Sequence, residues 1–287
     1  LQSLERAVQL QPKSVEIQLA IARVELERNN LDGARMAAER ALVLDKESAA
    51  PHGWLAWISS KQIIDAIKQQ RTIPGSLEEL LGNLKSSLEH LKQAESLAPR
   101  DPEVLYLIGE TKLSNALAIL ETPHLISEGR MQAIEWMRQA YDYLERSVRQ
   151  IPDHFYSHRA IAKLCIPTEY NLAQGEDSLI RAVQLNPFDE FSLVRLTIQC
   201  WASDRLLSDD ARLMLVYQTL AACGPQAVKP IENAVKKVKE LQRNAMAASE
   251  AIAASGFEAP SVQNQLATLS RAEALFTRLL DDPKIEK

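Results

Sequence analysis

The chain has 287 residues, and 33 Lys plus Arg stand against 38 Asp plus Glu, a formal charge of −5. That balance excludes a strongly basic nucleic-acid binder as the starting expectation. Gly and Pro supply only 9 and 13 residues while apolar types make up 46%, so a helical chain with few turns is expected.

In chain order, Leu4, Ala7, Val8 and Leu10 already form an apolar helical face, and the chain opens on Leu1 rather than Met. This reads as the second half of a hairpin in a fragment of a longer protein, compatible with a removed signal or anchor. A small residue followed five positions later by proline then recurs as Ala7 to Pro12, Ala94 to Pro99, Ser147 to Pro152 and Ala182 to Pro187, each time ending a helical pattern. Ala41 to Lys46 has the same form. The steps from Pro12 through Lys46, Pro99 and Pro152 to Pro187 are 34, 53, 53 and 35 residues.

Between these stops lie two amphipathic stretches per unit. The first sets a small residue beside a large one at Ile21-Ala22, Leu55-Ala56, Ile108-Gly109 and Ile161-Ala162. The second follows a turn such as Asn30-Leu31-Asp32-Gly33 and carries Ala34, Ala140 or Gly175 seven positions before Ala41, Ser147 or Ala182. Small residues at these places let paired helices approach closely, and the proline fixes the exit to the next pair.

The pattern over roughly residues 1 to 223 resembles the tetratricopeptide repeat, a 34-residue helix-turn-helix unit. The resemblance implies an all-α, right-handed α-solenoid of helical hairpins: a half repeat 1–14, then repeats 15–48, 49–101, 102–154, 155–189 and a degenerate 190–223. The units are divergent, since Gln18, His52, Leu105, His158 and Leu193 stand where an ideal repeat carries a first-helix Trp. In the last, Thr197 takes the small site, Ala211 opens the second helix, and Cys223-Gly224-Pro225 replaces the stop.

Units 49–101 and 102–154 are each 19 residues longer than 34. Shared between two helices, the excess adds about 14 Å to each at 1.5 Å per residue. Two neighbouring hairpins should therefore project together, with turns at Ile73-Pro74-Gly75-Ser76 and Thr122-Pro123-His124. Leu77, Leu81, Leu84, Leu88 and Leu91 read as one seam, packed against Ile63, Ile64 and Ile67. Residues 224–287 read as a C-terminal helical hairpin that caps the solenoid or self-associates. Its stripes are Ile231, Val235, Val238, Ala245, Ala248 and Ile252, then Val262, Leu266, Leu269 and Leu279, with a break at Ser255-Gly256-Phe257.

Chemical sites are scarce. His154 and His158 have metal-like i, i+4 spacing beside Asp153, but no further ligand is in view, and His52, His90 and His124 stand isolated. No nucleophile elbow or phosphate loop occurs, so no enzyme activity and no cofactor are expected. Cys165, Cys200 and Cys223 are an odd set without metal spacing, and Cys165 and Cys200 on neighbouring helices sit too far apart to bridge. Lys229, Lys236 and Arg243, with Lys239, read as a solvated face interrupted by Glu232 and Glu240. No transmembrane stretch is present. Unpaired cysteines and the lack of Asn-x-Ser/Thr acceptors lean towards a cytoplasmic, reducing setting.

Tetratricopeptide repeats line a concave groove with their first helices, and the groove holds a peptide or partner helix. Carried onto this sequence, that implies Glu16, Leu19, Arg23 and Leu26, then Trp57, then Tyr106 and Glu110, then Tyr156, Arg159 and Lys163, then Phe191, Arg195 and Trp201. The partner-binding set is Trp57, Tyr106, Tyr156, Arg159, Lys163, Arg195 and Trp201, because large aromatics and Arg dominate interface energies. Arg159 and Lys163 are like charges one turn apart, relieved either by an acidic partner or by Asp189 and Glu190. The expected function is a non-enzymatic scaffold or adaptor binding protein rather than nucleic acid, through the groove and the extended hairpins. The alternatives are a subunit embedded in a larger assembly and the recruiting arm of an enzyme whose catalytic part lies elsewhere.

Overall fold

A computed structural model of the chain describes residues 6, 11, 13–71, 73–168, 171–189, 191–196, 218–254 and 260–282, and every regular element among them is helical. The fold is an all-α helical-repeat solenoid. It divides into two compact units, Leu1–Leu164 and Cys165–Lys287.

The first unit holds α1 (Val15–Glu27), α2 (Leu31–Leu44), α3 (Ala49–Lys68), α4 (Leu77–Asn83), α5 (Lys85–Leu97), α6 (Pro102–Leu120), α7 (Ile126–Gln150) and the start of α8 (Phe155–Thr168). Each first helix packs on its own second helix and on the next first helix: α1 on α2, α3 on α5, α6 on α7, and α3 on α6. Such neighbour-to-neighbour packing is what makes a solenoid.

The small residues of the stop pattern have a common job. After each second helix the next residue returns its N–H to the small residue's carbonyl, Asp45 to Ala41 at 3.1 Å, Ala98 to Ala94 at 3.1 Å, Ile151 to Ser147 at 3.0 Å and Asn186 to Ala182 at 2.9 Å. Exposed Pro99 and Pro152 follow at once, so the helix cannot continue. The following helix starts on a side-chain cap: Asp101 accepts from the Val104 N–H at 2.9 Å, and Asp189 from that of Ser192 at 2.8 Å.

Close approach explains the small residues of the first helices. Ala22, Ala56 and Ala162 are buried. At Gly109 a Cβ would lie 2.6 Å from Leu144 Cγ and 3.2 Å from the Ala140 carbonyl oxygen, so α6 and α7 touch nearly backbone to backbone.

The two long hairpins are present. Helices α3, α6 and α7 have 20, 19 and 25 residues, against 13 or 14 in α1 and α2. Their projecting halves share a core of Ile64, Ile67, Leu80, Leu84, Ile119, Leu125 and Trp136, flanked by Ile63, Leu77, Leu81 and Leu88. One detail corrects the single leucine seam. The second helix of unit 49–101 breaks at Leu84 into α4 and α5, and Leu91 packs instead in a separate core with Ala56, Ala94 and Ile108. Leu80 and Leu84, one turn apart on either side of the break, are both fully buried. Ser76 caps α4 by accepting from the Glu79 N–H at 3.1 Å, while the Glu79 carboxylate takes the Gly75 N–H at 2.7 Å, a reciprocal capping box.

The second unit holds α9 (Leu172–Leu185), helical residues at 191–196 and 218–223, a 3-10 turn at Gly224–Ala227, α10 (Val228–Ala254) and α11 (Pro260–Leu280). The last two pack against each other, burying Ile231, Val238, Leu269, Phe276 and Leu279. The basic stripe is partly neutralised, Lys239 pairing with Glu273 across the hairpin at 3.3 Å. No helix among the described residues is long and apolar enough to cross a membrane. Pro12, Thr197, Cys200, Trp201, Ala211 and Ser255-Gly256-Phe257 lie outside the described residues.

Candidate functional site

Three first helices carry the same stepping on their inner faces, that of α3 set one turn further along its repeat. Trp54, Trp57 and Lys61 on α3, Glu103, Tyr106 and Glu110 on α6, and Tyr156, Arg159 and Lys163 on α8 each step by three and then four residues, so every triplet forms one stripe. Glu16, Leu19 and Arg23 on α1 share that spacing.

The middle of the face is aromatic. Trp57 meets Tyr106 edge-on at 5.9 Å between ring centroids, and Tyr106 meets Tyr156 at 5.9 Å. Three members of the expected set, from three different repeats, therefore touch in one continuous row. Tyr106 is only 3% exposed and forms its floor, while Trp57 and Tyr156 are half-buried and form its walls. Burial first, then Glu110 and Glu103, pushes the Tyr106 phenol well above its ordinary value, so it stays protonated. The Trp57 indole Nε1 is buried without a hydrogen-bond acceptor among the described residues.

A cationic end adjoins this row. Lys163 donates to the nearly buried Glu110 carboxylate at 3.2 Å. Part of the relief of its charge thus comes from α6. Burial pulls the Lys61 ammonium below its ordinary value; Asp65 and Glu110 oppose that shift, while Lys163 and Arg159 reinforce it. Lys61 thus lies within electrostatic reach of the expected Arg159 and Lys163. Sequence reasoning passed over it, although it lies one turn beyond Trp57.

The other end is closed by Arg23 of α1. Its guanidinium pairs with Glu103 and lies 5.3 Å from the Trp54 ring centroid and 4.8 Å from that of Tyr156. Glu103 also accepts from His154 Nε2 at 3.3 Å, and Glu27 accepts from the Tyr156 hydroxyl at 3.1 Å. Burial alone would raise the Glu103 carboxyl, but His154 and Arg23 together hold it below the ordinary value.

Arg195, the next expected residue, belongs to the second unit, is half-buried and has its guanidinium pKa lowered by burial. Trp201 lies outside the described residues. The metal-like pair is otherwise engaged: His154 spans Glu103 and Ser157, and His158 Nε2 donates to the Pro152 carbonyl at 2.8 Å. Among the described residues no group of three His, Cys, Asp or Glu is placed to hold a metal ion. His52 and His90, expected to stand alone, instead meet Nδ1 to Nδ1 at 2.9 Å between α3 and α5. Their sequence separation of 38 residues hides that contact.

No family model matches this sequence, and neither does any curated protein sequence. Among solved structures, PilF of Pseudomonas aeruginosa is 15% identical over 80% of this chain and 90% of its own, with a TM-score of 0.44. YrrB, a TPR protein with an unusual peptide-binding site, is 15% identical over 66% of this chain and 95% of its own, with a TM-score of 0.28. Human IFIT1, as a dimer with m7Gppp-AAAA, is 15% identical over 97% of this chain and 66% of its own, with a TM-score of 0.40. At such identities and scores these are likenesses in the stacking of helices, and no site residue or ligand is carried over from them.

Proposed function

We propose that this chain is a non-enzymatic scaffold that holds a peptide or helix of a protein partner against the inner face of α3, α6 and α8. The observation that carries this reading is the aromatic row Trp57, Tyr106 and Tyr156. Three repeats contribute one ring each, and two of the rings keep exposed surface beside the cations Lys61, Arg159 and Lys163. A half-open aromatic row with a charged end is what interface hot spots are made of. Trp57 and Tyr156 act as anchors, Tyr106 as their support, and Arg159 and Lys163 orient the partner. Arg195, in the second unit, and Trp201 belong to the proposed set through the repeat resemblance alone.

The test is capture of partners from a native extract by the immobilised chain, wild type against Trp57→Ala and Arg159→Ala. Circular dichroism should stay unchanged while captured protein falls at least tenfold, about 1.4 kcal/mol or more of binding energy. Undiminished capture by both variants refutes the groove.

A second reading, a subunit docked along the projecting hairpins, is favoured by one observation. On α7, Met131 is 76% exposed and Ile134 is 44% exposed near the hairpin end, and Ile73 on the neighbouring turn is exposed as well. Sedimentation of wild type against Met131→Glu with Ile134→Glu tests self-association through this edge. A wild type that stays monomeric at all concentrations removes it.

A further inference from the structure

The charge at the Arg23 end of the face runs opposite to that at the Lys163 end. Two carboxylates, Glu103 and Glu27, border the rings of Trp54 and Tyr156, and the cation between them belongs to the chain itself. The Arg23 guanidinium carbon lies over the Trp54 ring at 5.3 Å from its centroid and over the Tyr156 ring at 4.8 Å. A carboxylate, Glu103, accepts from its Nη2. Two aromatic rings and a carboxylate acceptor around one guanidinium suit a planar, delocalised cation better than a compact ammonium.

The surroundings fix this geometry independently of Arg23. His154 Nε2 holds the second Glu103 oxygen at 3.3 Å, and the His154 ring packs on Tyr106 at 5.4 Å and on Tyr156 at 6.3 Å. The Tyr156 hydroxyl is held by Glu27 at 3.1 Å. Trp54 is wedged against Trp57 at 5.4 Å. Trp54, Glu103 and Tyr156 come from three helices, whereas Arg23 arrives with Glu27 on a fourth, its long side chain about one-third exposed. It can leave by rotamer changes alone.

We propose that Trp54, Tyr156, Glu103 and Glu27 form a guanidinium cage that Arg23 fills as an internal ligand, and that the partner held in the groove presents an arginine that exchanges with it. The proposal rests on the groove reading above and names the partner's chemistry. An acidic segment is disfavoured at this end, where it would face Glu103 and Glu27, and at the far end Glu110 already engages Lys163. A lysine fits less well because its compact, strongly hydrated ammonium stacks poorly on aromatic rings. Until exchange occurs, Arg23 covers Trp54, which is buried beneath it. The partner's arginine must therefore compete with a tethered one, and wild-type affinity for an isolated arginine is weak by construction.

The experiment empties the cage. Arg23→Ala, and Arg23→Met as the variant that keeps the aliphatic stem, are compared with wild type in the full chain. Thermal unfolding is followed in millimolar methylguanidinium or methylammonium, and binding of acetyl-Gly-Arg-Gly-amide is set against its citrulline analogue. The expected result is a rise in Tm of the emptied variants with methylguanidinium several-fold larger than with methylammonium. The arginine peptide should bind the variants at least tenfold more tightly than wild type, and the citrulline peptide should bind neither. In wild type, saturating arginine peptide should shift the Arg23 Nε–H resonance as that side chain is displaced.

Emptied variants indifferent to methylguanidinium, or unable to tell arginine from citrulline, overturn the cage; if wild type still captures partners through Trp57 and Arg159, the groove reading survives that failure. Conversely, a guanidinium effect alongside undiminished capture by Trp57→Ala and Arg159→Ala refutes the groove reading. It also overturns the exchange, leaving Arg23 as an internal contact only.

Discussion

Replacing Gly109 by Ala tests whether the close pairing of α6 and α7 is what the repeat's small site exists to allow. Ala at a helix interior is worth about 1 kcal/mol over Gly in intrinsic propensity, so an open site would gain stability. Here the new Cβ would stand 2.6 Å from Leu144 Cγ, 2.8 Å from Leu144 Cδ2 and 3.2 Å from the Ala140 carbonyl oxygen. Leu144 can shift its rotamer only within a fully buried site, and the Ala140 backbone cannot give at all, so the helices must part. Overpacking of this kind costs about 1–3 kcal/mol. With backbone as well as side chain in the way, the upper part of that range, about 2–3 kcal/mol, applies, and the propensity gain reduces it to a net loss of about 1–2 kcal/mol, a fall in Tm of about 2–8 °C for a unit of this size. Thermal and urea unfolding measure it. Two controls sharpen the result: Gly82→Ala, whose Cβ meets nothing within 4 Å, should be neutral or stabilising, and Leu144→Ala should cost less in the Gly109→Ala background than in wild type. Gly109→Ala as stable as wild type would refute the close-approach argument.

Two further predictions follow from buried titratable groups. Burial lowers the pKa of His52, against the Lys46 backbone carbonyl, and that of His90, where His52 and Arg35 add to the effect while Glu89 and Glu39 oppose it. The unfolded chain therefore binds more protons, and stability should fall as pH drops below about 6.5, the ordinary histidine value. His52→Gln with His90→Gln should flatten the Tm profile between pH 7 and 5, and an unchanged slope would exclude the pair as its cause. Cys165 is fully buried, and burial pushes its thiol up to about 12. With Cys200 and Cys223 changed to Ser, alkylation by iodoacetamide at pH 8 should run on the order of a thousandfold slower than for a free thiol. Rapid labelling without unfolding would contradict that burial.

Features governed by neighbours within one hairpin were legible in the sequence. The helix ends at Leu44, Leu97, Gln150 and Leu185 follow from proline and small-residue spacing because they depend on local backbone chemistry. The long hairpins followed from counting residues between stops. Trp57, Tyr106 and Tyr156 were placed by repeat register alone, and they do meet. Part of what was hidden depends on how successive repeats rotate against one another. No periodicity announces that Arg23 reaches Tyr156, since the small rotation per repeat decides it; the His52–His90 contact lies within one hairpin but was hidden because it depends on how α3 packs on α5. The break at Leu84 was masked by a leucine spacing that suits one continuous helix equally well.

The contact from α1 to α8 also alters how unit 1 must fold. A solenoid of neighbour-only contacts unravels from its ends, repeat by repeat, with stability approximating a sum of local terms. The bond from the Tyr156 hydroxyl to Glu27 spans 129 residues, and the contact of Arg23 on Tyr156 spans slightly more, so the first repeat is tied to the fourth as well as to the second. A link that closes so long a loop costs chain entropy when it forms and raises contact order, which slows folding while making the opening of one end felt at the other. Unit 1 therefore behaves less as a row of separable modules than as a ring fastened once, and amide protection in α1 should rise and fall with that of α8.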